Sequence, residues 1–293
     1  MDNDKRKIQN LLNLLGDPDE LIWHPIRDTI IQMGKTALPV LQEHWQSSDT
    51  PSLASRIQEL IDEIQFNGLR TDWIQWWNSE SGTLKEGVVL FSQIIDPDYN
   101  YSKLDRLIKP VANEIWIELS DKLTALEKTR IVNYILLEKL GLIPINNLDS
   151  KSKHLFIPSL LSTYSGHSLA ISLLYCLLCR ELSIPVYKAG NGEDSALAYI
   201  DTLNVDLTQV QILGDYPVFF YILPDHIGEI IGMKYYTEYL SKQFPTQRTD
   251  YKTISDKQFI RVMLQKLYNF YKEENKQEHL FKIKQLLSVS LNH

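Results

Sequence analysis

Apolar residues recur at helical spacing through most of the first 140 positions, and the rhythm changes only after residue 150. Ile8, Leu11, Leu12 and Leu15 form one face. Gly16-Asp17-Pro18-Asp19-Glu20 then predicts a turn running into the acidic first turn of a second helix. Ile26, Ile30, Ile31 and Met33 continue that helix, and Gly34 ends it. A new start at Ala37-Leu38-Pro39 leads through Val40 and Leu41 to His44-Trp45. Ser47 to Pro51 forms a loop, and Ile57, Leu60, Ile61 and Ile64 mark the next face. Trp73, Trp76 and Trp77 follow on a short helix, where aromatic core at a helix junction is a better reading than a ligand cage. Residues 84–93 and 102–140 predict three more helices. One is marked by Leu104, Leu107, Ile108, Val111 and Ile115, and another is opened by the capping box Thr124-Ala125-Leu126-Glu127.

Past residue 150 the pattern becomes that of a mixed domain. Gly166 precedes a run from Leu169 to Leu178 that is apolar all round, as a buried helix is. Strands are expected at 185–189, 195–201, 208–213 and 217–222, the strongest being Tyr216-Pro217-Val218-Phe219-Phe220-Tyr221-Ile222-Leu223. An antiparallel sheet on one central helix defines an α+β fold. After Pro245, residues 254–272 and 276–290 predict a terminal helix pair, with Phe259, Met263, Leu264, Leu267 and Phe270 facing Leu280, Ile283, Leu286 and Leu287. The expected division is a helical segment over 1–78, an α+β core over 79–245 and a helical hairpin over 246–293.

Charge and composition narrow the function. The formal charge of −7 and the scattered Lys and Arg residues speak against nucleic acid as a partner. No stretch approaches the roughly 18 apolar residues of a membrane span. The polar start Met1-Asp2-Asn3-Asp4-Lys5-Arg6-Lys7 is unlike a signal peptide, so a cytoplasmic address is expected. Cys176 and Cys179 form a C-x-x-C, but they lie mid-helix in Leu173-Leu174-Tyr175-Cys176-Leu177-Leu178-Cys179, away from the helix N-terminus that lowers a redox thiol's pKa. With no second ligand pair at metal spacing, they are expected to be buried core thiols. No metal and no cofactor is expected.

The chemistry-bearing stretch is Ser165-Gly166-His167-Ser168-Leu169-Ala170, continuing to Glu181-Leu182-Ser183-Ile184-Pro185-Val186-Tyr187 and closing with Ala196-Leu197-Ala198-Tyr199. With Glu86-Gly87-Val88-Val89-Leu90 and Phe219-Phe220-Tyr221-Ile222-Leu223-Pro224, it resembles the transglutaminase-like superfamily, specifically its bacterial SirB-type branch. The paired N-terminal helices are similar to HEAT-type packing. In active members of the superfamily a cysteine at a helix N-terminus is ionised by the dipole and a histidine, and an aspartate on the next strand orients that imidazole. The resemblance puts Ser168 in the cysteine place. Alignment of Ala196-Leu197-Ala198-Tyr199 with the family's P-x-H-F-[apolar]-L-A-Y strand puts Asp194 in the histidine place. Alignment of Tyr221-Ile222-Leu223-Pro224 puts Leu223 in the orienter's place.

A serine without a base is a poor nucleophile, a carboxylate is a poor stand-in for imidazole, and leucine orients nothing. Adjacent residues at a helix start diverge, so His167 is read as a polar residue at the helix cap rather than a base for Ser168. Asp225 and His226 in Pro224-Asp225-His226-Ile227-Gly228 are read as a turn, and remain the other candidate assistants. The reading that follows is a non-catalytic transglutaminase-like protein acting as a binding or scaffold module for a protein or peptide. The alternatives are a residual hydrolase using Ser168, assisted by Asp194 or His167, and a structural helper in a larger assembly.

Overall fold

The computed structural model describes Ile8, Leu11 and residues 20–48, 50–145, 149–190, 192, 194–200, 218–243 and 252–290. The chain forms two compact units, Met1–Gln75 and Trp76–His293. The first contains α1 (Glu20–Met33), α2 (Leu38–Gln46) and most of α3 (Pro51–Asn78). Its core is drawn from the predicted faces: Ile8, Ile26, Ile30, Val40, Leu41, Ile57, Leu60, Ile61 and Ile64 are buried together, with Trp23 added, whereas Leu12 and Leu15 of the first predicted face lie outside the described residues. Gly34 ends α1 at a φ of +61°, a left-handed conformation that costs glycine little.

In the second unit α4 (Leu84–Ser92), α5 (Tyr101–Glu118) and α6 (Ala125–Asn133) lead to the core. Thr124 and Glu127 make the expected capping box at the start of α6. The helix predicted to run on to residue 140 changes at Asn133, because Tyr134–Lys139 is a π-helical turn. Such a turn widens the repeat only locally, so hydrophobic spacing does not announce it. Strand β1 (Ile143–Pro144) pairs in parallel with β2 (Ser165–Gly166), and α7 (Ile157–Thr163) lies between them in sequence.

Helix α8 (Ser168–Glu181) is the centre of this unit. Every residue from Leu169 to Cys179 is buried, as an all-round apolar helix requires. A four-stranded antiparallel sheet follows in the order β3 (Val186–Lys188), β4 (Leu197–Ile200), β5 (Val218–Leu223), β6 (Glu229–Ile231). Tyr187 pairs with Ala198, Ala198 with Tyr221, and Ile222 with Ile230. Three expected strands appear within a residue or two of their predicted bounds, and the expected strand at 208–213 lies outside the described residues. β6 is too short to show alternation. It forms because Ile227 and Gly228, both at positive φ, reverse the chain behind Leu223.

Helix α9 (Met233–Gln243) packs near β5, and the chain ends in α10 (Asp256–Glu273) and α11 (Gln277–Val289). Phe259, Met263, Leu264, Leu267 and Phe270 of α10 are buried, as are Leu280, Ile283 and Leu286 of α11. The fold is α+β and mostly helical. Trp76 is fully buried, and a Cβ on Gly87 would lie 2.5 Å from its ring, so a side chain there would displace the indole. Among the described residues no helix is long and apolar enough to cross a membrane.

Candidate functional site

Close packing fixes where α8 begins. A Cβ on Gly166 would meet Leu160 Cδ1 at 2.9 Å and the His154 carbonyl at 3.2 Å, so any side chain there would have to push these neighbours aside. His167 is the N-cap, and its Nδ1 accepts a hydrogen bond from the Leu169 amide at 3.1 Å. Its backbone amide donates to the His154 carbonyl at 2.9 Å. The ring is 1% exposed and stands edge-on to Phe270, and Nε2 has no hydrogen-bond partner among the described residues. Burial, reinforced by the charges of Lys266 and His154, lowers its pKa to about 3, so this imidazole is neutral at any ordinary pH.

Ser168 occupies the first turn of α8 and is partly exposed. Its Oγ makes no hydrogen bond to a described residue. Its carbonyl accepts from Ser172 Oγ at 3.0 Å, and that hydroxyl also lies 2.6 Å from the Ser195 carbonyl. These contacts tie the first turn of α8 to the chain entering β4.

Asp194 stands just before β4, 8% exposed, and its Oδ1 accepts from Lys188 Nζ at 3.1 Å and from the Ala196 amide at 3.0 Å. The Lys188 side chain is entirely buried, and its ammonium also donates to the carbonyls of Ala189 and Gly190. An ion pair sealed in this way is costly to open from either side. Sequence reading passed over Lys188; the available signal was a single cation inside the apolar strand Val186-Tyr187-Lys188-Ala189.

Leu223 ends β5 and is buried with Ala189, Ala196, Ala198, Tyr221 and Tyr236. Asp225 follows in a short turn. Its Oδ2 accepts from the Tyr239 hydroxyl at 3.2 Å, and its Oδ1 is buried without a partner among the described residues. Burial first, then the charges of Asp225 and Asp194, raises the Tyr239 hydroxyl well above its usual pKa. The turn is anchored from beneath: Asn133 Nδ2 donates to the Gly228 carbonyl at 2.7 Å, and the Tyr175 hydroxyl lies 3.0 Å from Asn133 Oδ1. His226 leans on Tyr239 and stands 3.9 Å from Glu229 Oε2. Tyr239, which sequence reading did not single out, is thus the group that Asp225 and His226 share.

The other end of α8 is built differently. Arg180 donates to the Val186 carbonyl at 2.7 Å and to Asp256 Oδ1 at 2.9 Å, with its guanidinium 3.5 Å from the centre of the Tyr187 ring. Lys85 bridges Asp105 at 2.7 Å and Glu181 at 3.0 Å. Lys85, Arg180, Glu181, Tyr187 and Asp256, with Lys257 and the loop from Glu80 to Thr83, line a cleft of about 630 Å³. Between the two ends, burial raises Cys176 to about 12 and Cys179 well above its usual value, as expected for inert core thiols. No group of three or more His, Cys, Asp or Glu residues suited to a metal occurs among the described residues.

The model of the transglutaminase-like superfamily matches residues 101–265, from the first residue of α5 into α10, and the chain belongs to that superfamily. Neither the curated proteins nor the solved structures include a match.

Proposed function

We propose that this is a transglutaminase-like protein of the SirB-type branch that has given up the family's thiol chemistry and works by binding a protein or peptide. One observation carries the reading. Ser168 has no hydrogen bond to a base among the described residues, and the adjacent imidazole is turned inward as a helix cap with its acceptor nitrogen already used. A nucleophile needs that base within hydrogen-bond reach.

The degenerate triad places are Ser168, Asp194 and Leu223. Asp194 Oδ1 is held by Lys188 and the Ala196 amide, neither Asp194 oxygen is hydrogen-bonded to Ser168, and Leu223 is core and has no group to offer. The binding surfaces in this proposal are the mouth around Gly166–Ser168 and the HEAT-like helices of residues 1–78, with the core over 79–245, the hairpin over 246–293, and a cytoplasmic location. The competing reading, a weak hydrolase using Ser168, predicts turnover that depends on that residue. The test compares native protein with Ser168→Ala on peptide amide and ester substrates. Equal rates are expected; a loss of about a hundredfold or more on substitution would establish the hydrolase.

A further inference from the structure

The helix pair α10–α11 has a charge opposite in sign to that of the chain. Between Asp256 and Val289 it carries seven basic and four acidic residues, in a chain of formal charge −7. Three of those acids are engaged near the ends of the pair: Asp256 with Arg180, Glu274 with Lys276 and Glu278 with Lys282. Midway along, Arg261, Gln265 and Tyr268 of α10 and Lys284, Leu287 and Ser288 of α11 line a groove of about 270 Å³. No carboxylate takes part in that lining.

Arg261 makes no ion pair or hydrogen bond with a described residue. The one contact of the Lys284 ammonium among them is with the Tyr268 ring, 5.9 Å from its centre. Among the described residues a guanidinium and an ammonium from opposite walls of one groove thus have no counter-charge, while other cations of this unit, Lys85, Arg180 and Lys188, are neutralised by carboxylates. A planar donor fork opposed by a point charge suits a multiply charged oxyanion with several oxygens to share. Gln265 and the Tyr268 hydroxyl add neutral donors. The volume is just under the range of roughly 300–1,000 Å³ usual for small-molecule pockets, so a phosphate group with little attached to it fits. The acidic remainder of the chain disfavours an extended polyanion.

We propose that this groove binds a small soluble phosphate compound, of the phosphomonoester or pyrophosphate class, through Arg261 and Lys284. The test is calorimetric titration of the full chain with inorganic pyrophosphate at constant ionic strength. Saturable binding at one site is expected, weakened about tenfold or more by Arg261→Ala and by Lys284→Ala, and unchanged by Lys272→Ala at the exposed end of α10. Arg261→Lys, which keeps the charge and loses the fork, should fall between native and Arg261→Ala, and guards against a fold defect in the alanine variant. No saturable binding at millimolar pyrophosphate would overturn the proposal. So would equal weakening by Lys272→Ala, or binding confined to phosphatidic acid vesicles.

Discussion

At its N-terminus α8 presents a hydroxyl with no partner among the described residues, whereas at its C-terminus Arg180 is saturated by a carbonyl, a carboxylate and an aromatic face. The first end is the one the proposed function takes as the place of the superfamily's chemistry. There the groups that could carry charge have been drawn into structural duties: His167 caps the helix, and Asp194 neutralises a buried lysine. The polar groups of the second end are more fully paired: Arg180 and Lys85 are both held by carboxylates, whereas His167 Nε2 and Asp225 Oδ1 at the first end have no partner among the described residues. What separates a reactive site from a structural one is whether any group is left poised against a nucleophile.

This comparison can be broken where the pairing is tightest. Lys188→Met should leave Asp194 buried with a single amide donor and cost about 3–5 kcal/mol of stability, measured by chemical denaturation. Adding Asp194→Asn, which keeps an acceptor for the Ala196 amide, should recover most of that loss. If Lys188→Met alone proves neutral, the ion pair does not hold the β3–β4 connection. At the other end, Arg180→Ala should cost about 2–3 kcal/mol through its lost charge-assisted hydrogen bond and its packing on Tyr187. The smaller figure follows from exposure: the Arg180 and Asp256 side chains are 23% and 25% exposed, against 0% and 6% for Lys188 and Asp194. Equal effects at the two ends would mean that burial is not what sets the difference.

Much of this architecture was legible in the chain. The described helix faces of the first unit, the buried run after Gly166, three strands and the terminal helix pair follow from periods of 3.6 and 2, but the separate short helix expected at Trp73–Trp77 is the end of one continuous helix, Pro51–Asn78. β6 was not legible, because three residues cannot alternate convincingly and its cause is backbone reversal at Ile227 and Gly228. The π turn at Tyr134–Lys139 was hidden for a similar reason, since it adds width without altering the apolar pattern.

That Ser168 opens a buried helix and Leu223 ends a strand could be anticipated from neighbouring sequence, whereas the partner of Asp194 could not. Lys188 is six residues upstream on an adjacent strand, and only the antiparallel pairing of Lys188 with Leu197 brings it alongside. Tyr239 escaped notice because its link to Asp225 joins a turn to a helix fourteen residues away.

On the proposed reading, no described residue at the N-terminus of α8 activates a nucleophile at position 168. Ser168→Cys tests it with little structural change. The native Cys176 and Cys179 thiols, raised by burial, should remain silent toward a polar alkylating reagent and leave the new thiol as the sole signal. The pH dependence of alkylation should then give a pKa within about one unit of the free-cysteine value of about 8.5, lowered only by the helix terminus. A value below about 7, in the range of thiols paired with an imidazole, would reveal an activating base and contradict the account.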